Sequence, residues 1–91
     1  VTSDEALGAY GAVDCGAYIA QFMLAAHSLG VATIAQAALA AYPQVLREVL
    51  GIGPDRLIVC GISLGWPDTA HPANQFRTTR ADPASVVAWH D

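Results

Sequence analysis

The stretch from Asp14 to Gly30, DCGAYIAQFMLAAHSLG, decides how this chain is read. Asp14 stands where a helix N-cap belongs, with a carboxylate suited to accept from the first free amides. Residues 15–29 follow without a proline, and Gly30 occupies the C′ stop position. At about 1.5 Å per residue such a helix is some 22 Å long, enough to run through the centre of a dimer. Ile19, Phe22, Met23, Leu24, Ala26 and Leu29 are spread around it and leave no clearly polar face. A helix that is apolar on all sides is one that is surrounded.

The surroundings extend the puzzle. Of the 91 residues, 54% are hydrophobic and only 13% charged, against about 25% charged in ordinary soluble domains. From Cys15 to Leu46 there is no Asp, Glu, Lys or Arg. A domain of this size buries only about 60–65% of its unfolded surface when it folds alone. The run therefore needs cover, from a partner chain, from further sequence or from a membrane. A spanning helix needs roughly 20 mainly apolar residues, and Gln21, His27, Ser28, Gly30, Gln36 and Pro43 interrupt this one. No Arg cluster flanks it and the chain has no Lys to set an orientation. The opening Val-Thr-Ser-Asp-Glu also lacks the basic character of a secretory leader. The run reads as core or subunit interface, and the expected compartment is the cytoplasm.

Working outward, residues 1–13, with Gly8 and Gly11 among small side chains, read as a loop or the end of an upstream helix. Val31 to Ala41 reads as an irregular or strand segment. A second helix is expected from Pro43, suited to a first turn, to Leu50, with Gly51 ending it. Val45, Leu46, Val49 and Leu50 form its apolar face, and Gln44, Arg47 and Glu48 the opposite one. Leu57 to Leu64, LIVCGISL, has the length and continuity of a strand buried on both faces. Gly65-Trp66-Pro67-Asp68 turns the chain. A polar stretch runs to Arg80, and Asp82-Pro83 forms a cap and first turn for a short terminal helix. One strand is not a sheet, so its neighbours come from elsewhere. The fold class is α+β: a long buried central helix, a second helix, one buried core strand and an extended C-terminal tail. The core spans 14–80 and the terminal segment 81–91.

Charge and chemistry narrow the function. The net charge is −4 and all four basic residues are arginines, which argues against nucleic acid as a partner. Cys15 and Cys60, in apolar surroundings, read as buried free thiols. There is no metal motif, and neither a nucleophile–base pair nor paired carboxylates to mark a catalytic residue.

Three segments, in order, resemble the C-terminal half of flavin-dependent nitroreductases. Asp14-x-Gly16 followed by Gln21 to Gly30 is similar to the family's long central helix. Gln36-Ala-Ala-Leu-Ala-Ala-Tyr-Pro43, continuing through Arg47-Glu-Val-Leu-Gly-Ile52, resembles the nitrobenzoate-reductase branch. Val59-Cys-Gly-Ile-Ser-Leu-Gly-Trp-Pro-Asp68, then Pro72-Ala-Asn74 and Phe76-Arg-Thr-Thr-Arg80, is similar to the final core strand, its turn and a phosphate-binding tail. Trp66 stands where the family usually has Tyr. The likeness covers nearly all of residues 14–90.

The resemblance implies part of a nitroreductase-type α/β sandwich: an FMN enzyme and an intertwined homodimer with flavins at the subunit interface. NAD(P)H would be the electron donor and a nitroaromatic or quinone-like small molecule the acceptor. It also implies that Ala35, Gln36, Ala37 and Ala38 run their backbone along the flavin ring, and that Arg80, with Arg77 as a stand-in for a second basic residue, meets the phosphate. The family's N-terminal half, which supplies another phosphate motif and most of the sheet, has no counterpart in these 91 residues. Without the resemblance, Ala35 to Ala38 are tightly packed alanines, Arg80 a surface residue paired with Asp82, and Arg77 a solvated one. His27 reads as a core or interface histidine, His71 and His90 as surface residues, Gln21 as an interface hydrogen-bonder, and Trp66 and Trp89 as packing residues. Two functions follow: a flavin oxidoreductase completed by a missing N-terminal half, or a non-catalytic truncated remnant that oligomerises and binds no flavin.

Overall fold

In the computed structural model, which describes residues 1–90, strand β1 (Thr2–Asp4) leads through a 3-10 turn (Glu5–Leu7) into helix α1 (Gly8–Ser28). The helix starts six residues before the expected cap. Asp4 caps the preceding turn by accepting from the Ala6 amide at 2.9 Å, and Asp14 lies exposed within the helix. The glycines that suggested a loop have another purpose. A Cβ on Gly11 would overlap Ser3 Oγ and come within 3.0 Å of Leu7 Cβ, so Gly11 lets β1 cross close against α1. At 21 residues α1 is about 31 Å long. It ends in a Schellman motif: Gly30, at φ 77°, donates to His27 O, and Val31 to Ala26 O, each at 3.0 Å.

Strand β2 (Ala32–Gln36) follows, then a 3-10 helix (Ala37–Ala41) and α2 (Pro43–Leu50). Pro43 opens α2 and Gly51 closes it at φ 64°, as the sequence predicts. The orientation of α2 differs from expectation. Pro43, Leu46 and Arg47 are its half-buried residues, whereas Val45, Val49 and Leu50 are 58–74% exposed. Arg47 turns inward because its guanidinium finds two backbone carbonyls, those of Gly53 and Arg56.

The expected single core strand is instead two strands. β3 (Arg56–Ile58) pairs antiparallel with β1, Ser3 opposite Leu57, and β4 (Gly61–Gly65) pairs antiparallel with β2, Gln36 opposite Gly61. Each sheet has two strands. An apolar run reveals strand character but not which neighbour claims each residue. Here the partner changes at Val59 and Cys60, which bond to Val1. Only Ile58 and Cys60 of the run are buried, and Leu64 is 64% exposed.

Cys15, Ile58 and Cys60 form the buried apolar core, with Ser3 beside them. Both cysteines are free thiols, as expected. Helix α1 contacts β1 and β2, but only Gly11 and Cys15 along it are buried; the surrounded helix is covered on one side within this chain. The radius of gyration, 16.6 Å, exceeds the roughly 12 Å of a compact chain this long. No helix among the described residues is long and apolar enough to cross a membrane. The tail ends in α3 (Pro83–Val86), capped by Asp82, which accepts from the Ala84 amide at 3.0 Å.

Candidate functional site

Ala35 to Ala38 straddle the end of β2 and the start of the 3-10 helix. Ala35, Ala37 and Ala38 are exposed and Gln36 is half-buried, so the tight-packing alternative for the alanines does not hold in this chain. The leading amides of a helical turn have no partner within it, and Gln36, at the N-cap, provides no side-chain bond to them. The segment thus combines small, exposed residues with amides that no side chain caps. Two contacts from β4 hold it. Ser63 Oγ donates to Gln36 Oε1 at 3.0 Å. Leu39 folds over Gly61, where an added Cβ would overlap Leu39 Cδ1 and lie 3.4 Å from its Cγ.

The two tail arginines are exposed. Arg77 donates through Nη1 to the carbonyls of Asn74 at 2.8 Å and Phe76 at 3.2 Å. Arg80 donates to Thr78 Oγ1 and to Thr79 O at 3.1 Å. The expected Arg80–Asp82 pair is replaced, because the Asp82 carboxylate is engaged as the cap of α3. Among the described residues each guanidinium thus meets only uncharged oxygens and keeps its positive charge available to an anion. Arg77 lines a cavity of about 500 Å³ with His27, Val31, Thr69 and Asn74 at the C-terminal end of α1; none of Ala35 to Ala38 lines it. The alanine segment and this cavity are therefore separate features of the chain.

Asp68 orders the turn before the tail. Its carboxylate accepts from the amides of Ala70 at 3.0 Å and His71 at 3.2 Å, and its carbonyl from Asn74 Nδ2 at 2.6 Å. His27 and Gln21 are exposed within this chain, so His27 is not a core residue. Trp66 and Trp89, expected to pack, are 81% and 85% exposed. No metal-holding group of His, Cys, Asp and Glu occurs among the described residues.

Sequence reasoning missed Arg47, Arg56, Gly61 and Ser63. Arg56 Nη2 reaches Thr2 O at 3.1 Å and Thr2 Oγ1 at 3.2 Å, so Arg47 and Arg56 together tie α2, the 53–56 turn and β1. The available signal was the stripe Pro43, Leu46, Arg47, spaced three and four apart as an inward helical face is. Gly61 had none, since the need for a glycine there arises from Leu39 across the sheet.

A long helix backing a two-stranded β2–β4 sheet, with an alanine-rich turn at one sheet end and two arginines in the tail, makes an α+β core. It superposes with a TM-score of 0.83 on a crystal structure of a mutant of NfnB, an FMN and NADPH-dependent nitroreductase from sphigopyxis sp. strain HMH, at 28% identity over 87% of this chain and 37% of that one. The profile of the nitroreductase family matches residues 1–66, and the chain belongs to that family. It is 43% identical over 81 residues to a 4-nitrobenzoate reductase of Nocardioides sp. (strain LMS-CY), covering 87% of this chain and 33% of the relative. It is 33% identical over 79 residues to a 4-nitrobenzoate reductase of Pseudomonas putida, covering 87% and 35%. The chain thus spans about a third of the length of these relatives. Arg77 and Arg80 lie beyond the segment that the family profile matches.

Proposed function

We propose that this chain is the C-terminal portion of an FMN-dependent oxidoreductase that uses NAD(P)H to reduce nitroaromatic or quinone-like acceptors. The superposition on an FMN and NADPH-dependent nitroreductase over 87% of the chain carries this reading, and the 4-nitrobenzoate reductases among its relatives support the acceptor class. In it, the backbone of Ala35, Gln36, Ala37 and Ala38 lies along the flavin ring, and Arg80 and Arg77 hold the phosphate. The residues present suit those roles. Exposed alanines permit close approach of a flat ring, and exposed guanidiniums with no carboxylate partner among the described residues suit a phosphate. When bound, FMN supplies the redox chemistry, taking electrons from NAD(P)H and passing them to the acceptor; the chain's own part is to bind and orient. The exposed apolar side chains of α1, among them Tyr10, Val13, Tyr18 and Leu24, are covered in this reading by a second copy or by an N-terminal half.

The test is the visible absorption spectrum of the purified protein, before and after adding FMN. A flavin band that NAD(P)H bleaches and 4-nitrobenzoate restores is the expected result. No retained flavin after FMN addition refutes the claim that this chain works as an enzyme by itself. It would favour the second reading, a non-catalytic remnant that oligomerises without flavin.

A further inference from the structure

We infer that Gly61 and Ser63 on β4 are positioning residues for the Ala35–Ala38 segment, Gly61 by leaving the seat that Leu39 fills and Ser63 by fixing the Gln36 carboxamide. The inference rests on the functional reading just given. Residues directly opposite in an antiparallel pair share a face of the sheet, so Gln36 and the vacant side-chain position of Gly61 lie side by side. Leu39 returns from the 3-10 helix into that position, with its Cγ 3.4 Å from where a Cβ of residue 61 would stand. Two residues along β4, Ser63 Oγ donates to Gln36 Oε1 at 3.0 Å. These contacts grip the segment at Gln36 and again at Leu39, on either side of Ala37 and Ala38. The direction of the Ala37 and Ala38 amides is therefore set by β4, although no β4 side chain is proposed to touch the flavin.

A methyl at residue 61 meets the end of a flexible side chain that is 40% exposed. Leu39 would swing out rather than the backbone yield, and the segment would lose its far anchor. The experiment is an FMN titration by flavin fluorescence on the wild type, Gly61→Ala, Leu39→Ala, the double variant and Ser63→Ala, paired with hydrogen exchange on the flavin-free proteins. Gly61→Ala is expected to weaken FMN about tenfold, equivalent to ~1.4 kcal/mol, and to raise exchange across residues 36–41 while α1 exchange stays unchanged. The double variant should bind no worse than Leu39→Ala alone, since both changes remove one contact. Ser63→Ala should weaken FMN a few-fold by freeing Gln36. FMN binding by Gly61→Ala at wild-type strength, strictly additive losses, or exchange rising equally in α1 would overturn the inference. A wild type that binds no FMN instead removes the reading that this chain forms a flavin site by itself, so the two failures are distinguishable.

Discussion

Replacing Arg47 with Met tests the inward turn of α2. Methionine keeps an unbranched apolar stem of similar reach, so the change isolates the guanidinium. That group donates to the Gly53 carbonyl and, at 2.6 Å, to the Arg56 carbonyl. A hydrogen bond from a charged donor contributes about 1.5–3 kcal/mol net when its surroundings exclude water. Two such bonds set an upper bound of about 6 kcal/mol. Two facts lower it. Arg47 is only half-buried, so water replaces part of each bond, and Gly53 O keeps the Arg56 amide as a second donor at 3.2 Å. A loss of about 2 kcal/mol remains. For a domain of this length that lowers the melting temperature by about 8–16 °C, read by far-UV circular dichroism at fixed protein concentration. Hydrogen exchange should rise first in residues 51–56, where both accepting carbonyls lie. A shift below about 3 °C, or exchange that rises elsewhere first, would refute the clamp.

Arg80→Ala should weaken FMN ten- to a hundredfold, since one charge-assisted bond of about 1.5–3 kcal/mol is lost; calorimetric titration at two salt concentrations checks it, and unchanged affinity excludes Arg80 from the phosphate. Gly51→Ala should destabilise the chain by about 1 kcal/mol, because residue 51 sits at φ 64° where a side chain is strained; equal melting temperatures would contradict this. Cys15 and Cys60, both buried, should resist a thiol reagent in the native protein and react together once denaturant is added. Rapid labelling of either without denaturant would show that the core opens readily.

Where local chemistry decides the structure, the letters were enough. Pro43 and Gly51 bracket α2, Gly30 stops α1, and Asp82-Pro83 starts α3, because each is a cap or a backbone constraint acting on its own neighbours. The two buried thiols followed from composition around them. The failures share the opposite cause. Gly8 and Gly11 look like loop residues until β1 is laid across α1 and Ser3 claims the space above Gly11. The run from Leu57 to Leu64 looks like one strand because hydrophobicity does not record that β1 pairs with its first part and β2 with its second. Arg47 looks solvated until the carbonyls of the following turn are present to receive it. The candidate site divides in the same way. The alanines and arginines were legible as residue types, whereas the contacts that hold Gln36 and Leu39 exist only once β4 lies alongside β2.

The exposed apolar side chains of α1 and α2 bear on every stability value measured for this chain. With Cys15, Ile58 and Cys60 as its buried apolar residues, the fold presents to water much of what a compact domain would enclose. Any species that binds this surface in the folded state, including another molecule of the same chain, shifts the unfolding equilibrium by mass action. Where a second copy binds it, the melting temperature becomes a property of the solution as much as of the sequence, and rises with protein concentration. A dilution series, rather than one melt, is the meaningful description of how stable this fold is.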